Sequence, residues 1–511
     1  MRDPYLSGYG SAILYPDEPG SNLPMRWGGQ APPCRGLIGP CRSVRTTLRR
    51  ARVLRFRAGH RIQPVTRPTR CGGGRDHSLT YRSGRVTHRL GASTEFRTGM
   101  PTARFVDASN RSPPTACAIC LPRRYRKDPL VSLTTGTYAT GPTGGLEITV
   151  FQVSRELARR GRQIGLLYVT PGSFVAEYQG FCHSVAKVSN VDYWYPTGRR
   201  GRPKAMAAMA PAIWAAAGQR PDLIYGHRIQ SCGWTIPTGM LVRSPVVCHE
   251  HGHSDHLSPR RIDFINRHVA SYIMPSRYVA DLWLDSGLDP AKISVVHNGI
   301  NPTEYPFGGP FERSVQRKEL GLPEDAFVAV YFGRLDREKG VEVLLRAWRR
   351  LGLDSRRGRL LVVGSPTALN DAAAYRRELE DLAVDGVRFL PNTADVTGPL
   401  HAADVAVVPS MWDEAFGRTV IEALSTGRPV LASRVGGMRE ILTGPLDRFL
   451  FERGNDVELA HQLQSLMNWR QDEPALAEMG PARVREAFTL DRMVDGVEAA
   501  FDAVTGKARV R

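Results

Sequence analysis

The chain lacks any run of apolar residues long enough to cross a bilayer. The nearest candidate, 205–217, falls short of the roughly 18 residues a helical span needs, and Pro211 interrupts it. The amino-terminal text has no apolar core segment of the kind a signal peptide carries. The chain is therefore expected to be cytoplasmic, with peripheral contact on the inner face of a membrane as the furthest reach. Cysteine is also sparse beyond the first 127 residues. Five of the eight cysteines, Cys34, Cys41, Cys71, Cys117 and Cys120, fall within 1–127. Cys117-x-x-Cys120 has zinc-knuckle spacing, but no second pair follows at a workable distance, and we read it as chance. Cys182, Cys232 and Cys248 are scattered, as reduced thiols in a cytosolic protein are. No repeat of fixed period is visible.

Acidic residues and lysine are scarce at the front of the chain. Residues 1–127 hold 24 of the 69 Lys+Arg but 6 of the 50 Asp+Glu, and Lys127 is the one lysine among them. The remaining 384 residues carry 45 basic and 44 acidic groups, so the formal charge of +19 belongs to this leader. A nucleic-acid partner for the rest of the chain is not implied. The leader is rich in Pro, Gly, Ser and Thr without apolar periodicity, and is expected to be disordered. Three readings of it stand open: a polycationic arm for nucleic acid or anionic lipid, a targeting extension, or text translated from upstream of the true start. We favour the third, with Met100 or a start near Val131 removing most of it.

What is present begins near residue 130. Short apolar runs at 130–134, 163–169, 223–225, 245–248, 272–274 and 293–296 alternate with helical stretches such as 143–160. That is the mark of α/β units on a parallel sheet. After a Pro/Gly-rich passage at 302–310 a second series follows. Strands are expected at 327–332, 359–363, 387–389, 405–408 and 430–433. Helices are expected at 341–351, 375–383, 418–425, 456–468 and 490–504. The expected architecture is α/β, with two Rossmann-like doubly wound parallel-sheet domains facing across a cleft. Residues 128–305 form the first domain, 306–485 the second, and 486–511 a terminal helix.

The stretch Asp413-Glu-Ala-Phe-Gly-Arg-Thr-Val-Ile-Glu422 carries the most chemistry. Glu414 is expected in a loop after a strand, and Glu422 about one turn into the following helix. The free amides of Phe416, Gly417, Arg418 and Thr419 point at whatever occupies the helix mouth, where the dipole favours anions. Carboxylates on each side of an anion site suit a diphosphate held between two polyols, as in a nucleotide sugar. Alone, such a pair is equally a loop acid and a solvated helix residue. Phe332-Gly-Arg-Leu-Asp-Arg-Glu-Lys-Gly340 adds Arg334 and Lys339 at the end of another strand. Fixed cations there oppose the charge that grows on a departing phosphate.

With these residues in hand, the chain resembles the family 4 retaining glycosyltransferases of the GT-B fold. The matching features are Glu414-x7-Glu422, the Gly-Arg…Lys-Gly run, Val362-Val-Gly364, Ala403-Asp-Val-Ala-Val-Val-Pro-Ser410 and Val435-Gly-Gly-Met-Arg-Glu440. In the first domain, Gly141-Pro-Thr-Gly-Gly-Leu-Glu147 is similar to the family's glycine loop. Asp222-Leu-Ile-Tyr-Gly-His227 and Pro245-Val-Val-Cys-His-Glu-His-Gly252 are similar to its histidine-bearing strand ends, and His297-Asn-Gly299 to its interdomain turn. The likeness spans about 128–506. Thr443-Gly-Pro-Leu-Asp447 departs from it, where the family usually has a second Asn-Gly turn.

The resemblance implies a retaining transfer of a hexose-type sugar from a nucleotide-sugar donor to a glycan, lipid-linked or small-molecule acceptor. It implies that Glu414 holds the transferred sugar and Glu422 the ribose diol, with Arg334, Lys339 and the amides of 416–419 on the diphosphate. Gly144 and Gly145 would let backbone approach the phosphates, and His251 would face the reacting centre. The terminal helix would cross back onto the first domain. No Asp-x-Asp triplet occurs, so transfer is expected to need no metal or other cofactor. A metal cluster of His249, His251, His253 and His256 is the disfavoured alternative, and His227 reads as structural. Arg199, Arg200, Arg202 and Lys204, beside the apolar 205–217, read either as a membrane-docking cluster or as a solvated loop before a buried helix. Two rival functions remain: a nucleotide-sugar epimerase of the same fold, and a nucleic-acid-binding protein acting through the leader.

Overall fold

The computed structural model describes residues 132–142, 144–191, 201–252, 257–366, 372–393 and 395–506. The expectations made for 1–127, for Thr143, for Arg199 and Arg200, and for His253 and His256 lie outside these residues. The first sheet contains β1 (Ser132–Ala139), β2 (Gln163–Thr170), β3 (Ser184–Lys187), β4 (Leu223–His227), β5 (Val246–His249), β6 (Ser271–Met274) and β7 (Ile293–Val295). The second contains β8 (Phe327–Phe332), β9 (Gly358–Val363), β10 (Val387–Leu390), β11 (Val405–Val408), β12 (Val430–Ser433) and β13 (Leu450–Phe451). All the pairings within both sheets are parallel.

Helices flank the first sheet: α1 (Gly145–Arg159), α2 (Val175–Phe181), α3 (Gly201–Gly218), α4 (Cys232–Val242), α5 (Pro259–His268) and α6 (Arg277–Asp285). The second lobe adds α7 (Pro310–Glu319), α8 (Val341–Arg350), α9 (Ala372–Leu382), α10 (Thr397–Ala402), α11 (Arg418–Ser425) and α12 (Met438–Ile441). The chain ends through α13 (Asp456–Ser465), α14 (Trp469–Asp472), α15 (Leu476–Ala487) and α16 (Leu490–Thr505). Arg202 and Lys204 fall at the start of α3, so the apolar stretch expected there is a helix with Pro211 inside it.

Strands such as β8 and β11 are continuous apolar runs because helices cover both faces of their sheet. Every residue of Phe327–Phe332 is buried, as is every residue of Val430–Ser433. Strand order is β3-β2-β1-β4-β5-β6-β7 in one sheet and β10-β9-β8-β11-β12-β13 in the other. In each, successive strands run outward in opposite directions from a central pair, β1/β4 and β8/β11. Loops leaving the carboxyl ends of such a pair diverge and open a crevice, the usual ligand position in a doubly wound sheet. The expected fold class is therefore the observed one.

The final helix belongs to the first lobe's core although the second lobe precedes it. Leu490, Met493, Val494, Val497 and Phe501 are buried at helical spacing, in one cluster with Leu133, Val153, Tyr225, Val247 and Ile273. Its polar edge is fixed by Arg160, which reaches Asp495 at 2.7 Å and Glu498 at 3.0 Å, and by Arg162 with Glu498 at 2.9 Å. The two interlobe passes of the chain touch where Ile300 N–H donates to the Phe488 carbonyl and Leu490 N–H to the Ile300 carbonyl. A Cβ at Gly299 would meet the Thr489 carbonyl oxygen at 2.2 Å, so only glycine fits that crossing.

Phe501 is fully buried against Tyr225, ring centroids 5.0 Å apart. Phe501→Ala should lower stability by about 3–5 kcal/mol in urea unfolding. A loss under about 1 kcal/mol would mean that α16 is not anchored in the first lobe's core.

Candidate active site

The crevice between β8 and β11 gathers most of the second-lobe residues named above. Glu414 lies in the loop after β11, and Lys339 in the turn after β8. Lys339 Nζ donates to Glu414 Oε1 at 2.6 Å, and Ser410 Oγ donates to the same oxygen at 2.5 Å. Burial pushes the Glu414 carboxyl up, but Lys339, Ser410 and Arg334 outweigh it and hold it below the usual carboxylate value. The backbone behind the pair is close-set. A Cβ at Gly340 would lie 2.1 Å from the Pro409 carbonyl oxygen, and one at Gly436 2.1 Å from the Glu414 carbonyl oxygen. Both glycines have positive φ, +65° and +48°. Gly437 N–H donates to the Glu414 carbonyl, which completes the seat.

Arg334 stands at the same crevice with its side chain 47% exposed, 3.3 Å from Asp336. Gly417, with φ +109°, begins α11 and brings no side-chain cap. The amides of 416–419 donate to no protein acceptor among the described residues. Phe416 itself is buried between His297 and Phe488, so its amide rather than its ring faces the helix mouth. Glu422, one turn on, is buried. Its Oε1 accepts from Arg418 Nε at 2.6 Å and from the Tyr305 hydroxyl at 3.1 Å. Burial raises its pKa against the pull of Arg418 and Tyr305. Arg418 offers more than its amide, because Nη1 and Nη2 are buried without an acceptor.

In the first lobe, Gly144 and Gly145 open α1 after β1. Gly144 is extended, and a Cβ at Gly145 would meet no protein atom within 4 Å. His251 follows β5, and its Nε2 lies 3.0 Å from His227 Nδ1. His227, expected to be structural, thus touches the histidine placed in the site. His249 Nδ1 pairs with the buried Tyr225 hydroxyl at 2.6 Å. Of the metal cluster considered from sequence, His249 and His251 do come together, with His227 as the third member, their ligand atoms within 4.8 Å. The rings of His249 and His251 have centroids 4.2 Å apart and are tilted by 32°, and one nitrogen of His251 is already taken by His227. Burial, then the neighbouring His249, His227 and Arg228, push His251 well below the ordinary imidazole value, so it is neutral at pH 7.

One feature carries no mark in the sequence. Arg228, directly after β4, has φ +65° and ψ 150°, a region open almost only to glycine. Such a conformation costs on the order of 1–3 kcal/mol unless its surroundings impose it. Here its N–H donates to the His249 carbonyl, its carbonyl accepts from Ser231, and the next amide donates to Glu250 Oε2 at 2.9 Å.

Among the described residues, no hydrogen bond or ion pair joins Gly144, Gly145 or His251 to Arg334, Lys339, Glu414 or Glu422. The lobes meet beside them instead. Ser276 Oγ, capping α6, donates to the Ala415 carbonyl at 2.6 Å, one residue from Glu414. Glu440 of α12 accepts from the Arg277 and Tyr278 amides at 2.9 and 2.8 Å, and pairs with His297 at 2.9 Å.

The solved structures that resemble this chain share its architecture. Anabaena HepE, in complex with UDP and glucose, aligns with a TM-score of 0.61 at 22% identity, over 73% of this chain and 100% of that one. A glycosyltransferase from Rickettsia africae aligns with a TM-score of 0.64 at 18% identity, over 74% and 100%. Two Rossmann-like lobes with facing crevices are the GT-B fold. The family model described as Glycosyltransferase Family 4 matches residues 143–304, and that described as Glycosyl transferases group 1 matches 312–483. Curated relatives include the D-inositol 3-phosphate glycosyltransferases of Geodermatophilus obscurus and Gordonia bronchialis, 28% and 29% identical. They cover 71% and 75% of this chain and 85% and 88% of their own length. The chain belongs to the family 4 glycosyltransferases.

Lys339→Met leaves the half-buried Glu414 without its cation. Because the folded pKa of Glu414 is depressed, the pair stabilises above the unfolded carboxylate value, and that stability is lost as pH falls through the folded one. Wild type should exceed Lys339→Met by on the order of 1–3 kcal/mol at pH 7, with the gap closing on acidification. A gap that persists unchanged at pH 2 contradicts the assignment.

Proposed function

We propose that the protein is a retaining, metal-independent glycosyltransferase. It moves a hexose-type sugar from a nucleotide diphosphate sugar to a hydroxyl of a glycan, lipid-linked or small-molecule acceptor. The observation that carries this reading is the Lys339–Glu414 pair standing beside the unpaired amides that open α11. A diphosphate at that mouth accepts from the amides of 416–419, from Lys339 and from Arg334. Glu414 accepts from hydroxyls of the sugar. The second oxygen of Glu422, which has no partner among the described residues, is left for the ribose diol.

In the transfer, the bond from the anomeric carbon to the β-phosphate oxygen breaks. The acceptor oxygen bonds to that carbon on the same face, and the acceptor's proton passes to the departing phosphate. The products are a nucleoside diphosphate and a glycoside. Lys339, Arg334 and the helix amides stabilise the charge that builds on the leaving group, the role a divalent ion fills elsewhere. His251 is neutral and can hydrogen-bond a hydroxyl near the anomeric carbon. Closure about the passage near 300–310 would exclude water. The UDP bound to HepE makes UDP-sugars the first donors to test, and the relatives' names make a phosphorylated polyol the first soluble acceptor.

Thermal shifts with UDP-, GDP- and ADP-glucose should single out one base, stabilising by about 2.7 kcal/mol at a hundred times Kd. Glu414→Gln should lower turnover on the order of a hundredfold or more. Turnover should persist in EDTA. Complete loss in chelator, restored by magnesium, contradicts the metal-independent step, and sugar conversion without any acceptor contradicts transfer.

Peripheral contact with an anionic membrane belongs to the same reading. On α3, which the basic run Arg199, Arg200, Arg202 and Lys204 precedes and opens in sequence, Trp214 is 69% exposed, and Met240 and Leu241 on the adjoining α4 are also exposed. Basic residues next to exposed apolar ones dock on anionic lipid. Changing the four basic residues to serine should abolish flotation with anionic vesicles, and unchanged flotation ends this part of the proposal.

A further inference from the structure

The crevice between β1 and β4 holds a cation that the donor chemistry does not use. Arg228 leaves the carboxyl end of β4, at the position where the strand order of the first sheet reverses. Its guanidinium makes no hydrogen bond or ion pair with any described residue. Arg228 is tied to the end of β5, where its own N–H donates to the His249 carbonyl at 2.8 Å and the next amide to Glu250 at 2.9 Å, which sets it beside His251. Glu250 does not neutralise it by contact, because that carboxylate is committed to the amides of Ile229, His251 and Gly252 at 2.9, 2.9 and 3.1 Å.

The backbone makes the choice of residue at 228 informative. Among the described residues, two other non-glycines have positive φ, Arg220 at +47° and Arg243 at +59°. Arg243 caps a helix in the ordinary left-handed region, with ψ 37°. Arg228 differs, since ψ 150° places it where side chains are rarely tolerated. The hydrogen bonds that impose this conformation are all made by main chain or by neighbours, and none involves its guanidinium. Glycine would therefore serve the local fold better than arginine. A long cationic side chain at a position built for glycine points to a ligand as the reason for it.

We propose that Arg228 is an anion-binding residue of the acceptor subsite, and that the acceptor carries a phosphate or carboxylate close to the hydroxyl that receives the sugar. This rests on the transferase reading for the name acceptor, but not for the anion site itself. The planar guanidinium suits a bidentate contact with such a group. Its nearness to His251 places the anion beside the histidine assigned to the reacting centre. The second-lobe cations, Arg334 and Lys339, remain with the donor.

The test uses the full chain and Arg228→Gly, which removes the charge and relieves the backbone together. Binding of D-myo-inositol 3-phosphate, unphosphorylated inositol and vesicles containing phosphatidylinositol is followed by calorimetry, with melting temperature measured alongside. Arg228→Gly should melt at or above the wild-type temperature while its affinity for the phosphorylated ligand falls tenfold or more. Inositol should bind both proteins equally weakly, and the Kd for the nucleotide donor should not move. Arg228→Lys should recover only part of the affinity, because an ammonium cannot reproduce the fork. Loss confined to the soluble phosphate identifies a small acceptor, and loss confined to vesicles a lipid headgroup. A glycine variant that melts lower, or one that binds both anionic probes as wild type does, overturns the proposal. The binding comparison stands even if no sugar transfer is detected, so failure of the transferase reading is seen separately.

Discussion

The ion pair between Lys339 and Glu414 is the constraint around which the second crevice is built. Both side chains are half-buried, so either charge alone would carry a desolvation cost that the pair offsets. Set 2.6 Å apart, with Ser410 on the same oxygen, they determine how the loops after β8 and β11 approach each other. The Gly340 and Gly436 positions follow from that approach, since each presents bare backbone to a carbonyl oxygen of the other segment or its neighbour. With both loops tied, the amides that start α11 are left facing outward from a rigid base. Preorganised donors of this kind need no rearrangement when charge develops on a leaving group, which is where they gain most over water.

The same segment also carries the contact between lobes. Ser276 binds the carbonyl of Ala415, next to Glu414, and Glu440 caps the start of α6 from the opposite lobe. Burial raises the Glu440 carboxyl, but His297 and the two α6 amides bring it below the usual value, so it is ionised in the joined state. A carboxylate at a helix amino-terminus is favoured by the dipole as well as by the two amides. The position of the first lobe is thereby sensed one residue from the acid assigned to the sugar. On the proposed reading, opening the lobes and disturbing that acid are one motion.

Much of this was legible in the sequence, for physical reasons that differ by element. Phe327–Phe332, Val405–Val408 and Val430–Ser433 were readable because a doubly covered strand must be apolar throughout. Ser184–Lys187 and Leu450–Phe451 were not, being short edge strands. Glu414, Glu422, Arg334 and Lys339 stood out because each follows a strand or opens a helix. Three contacts or torsions had no sequence signal, although Glu440 itself ends a recognisable motif. Glu440 finds its partners through backbone amides 163 and 162 residues away. The pairing of His227 with His251 depends on register between β4 and β5. The strained φ of Arg228 is invisible because sequence reports a side chain and not the torsion forced on it.

On the proposed reading, one diphosphate is held between α11 and the cations after β8. A crystal structure with the bound nucleoside diphosphate tests it directly. Phosphate oxygens should lie within hydrogen-bond distance of the amides of Gly417 to Thr419, with Lys339 and Arg334 on the same group and Glu422 on the ribose. A nucleotide seated elsewhere, with Lys339 still bound only to Glu414 and Glu422 untouched, would contradict it.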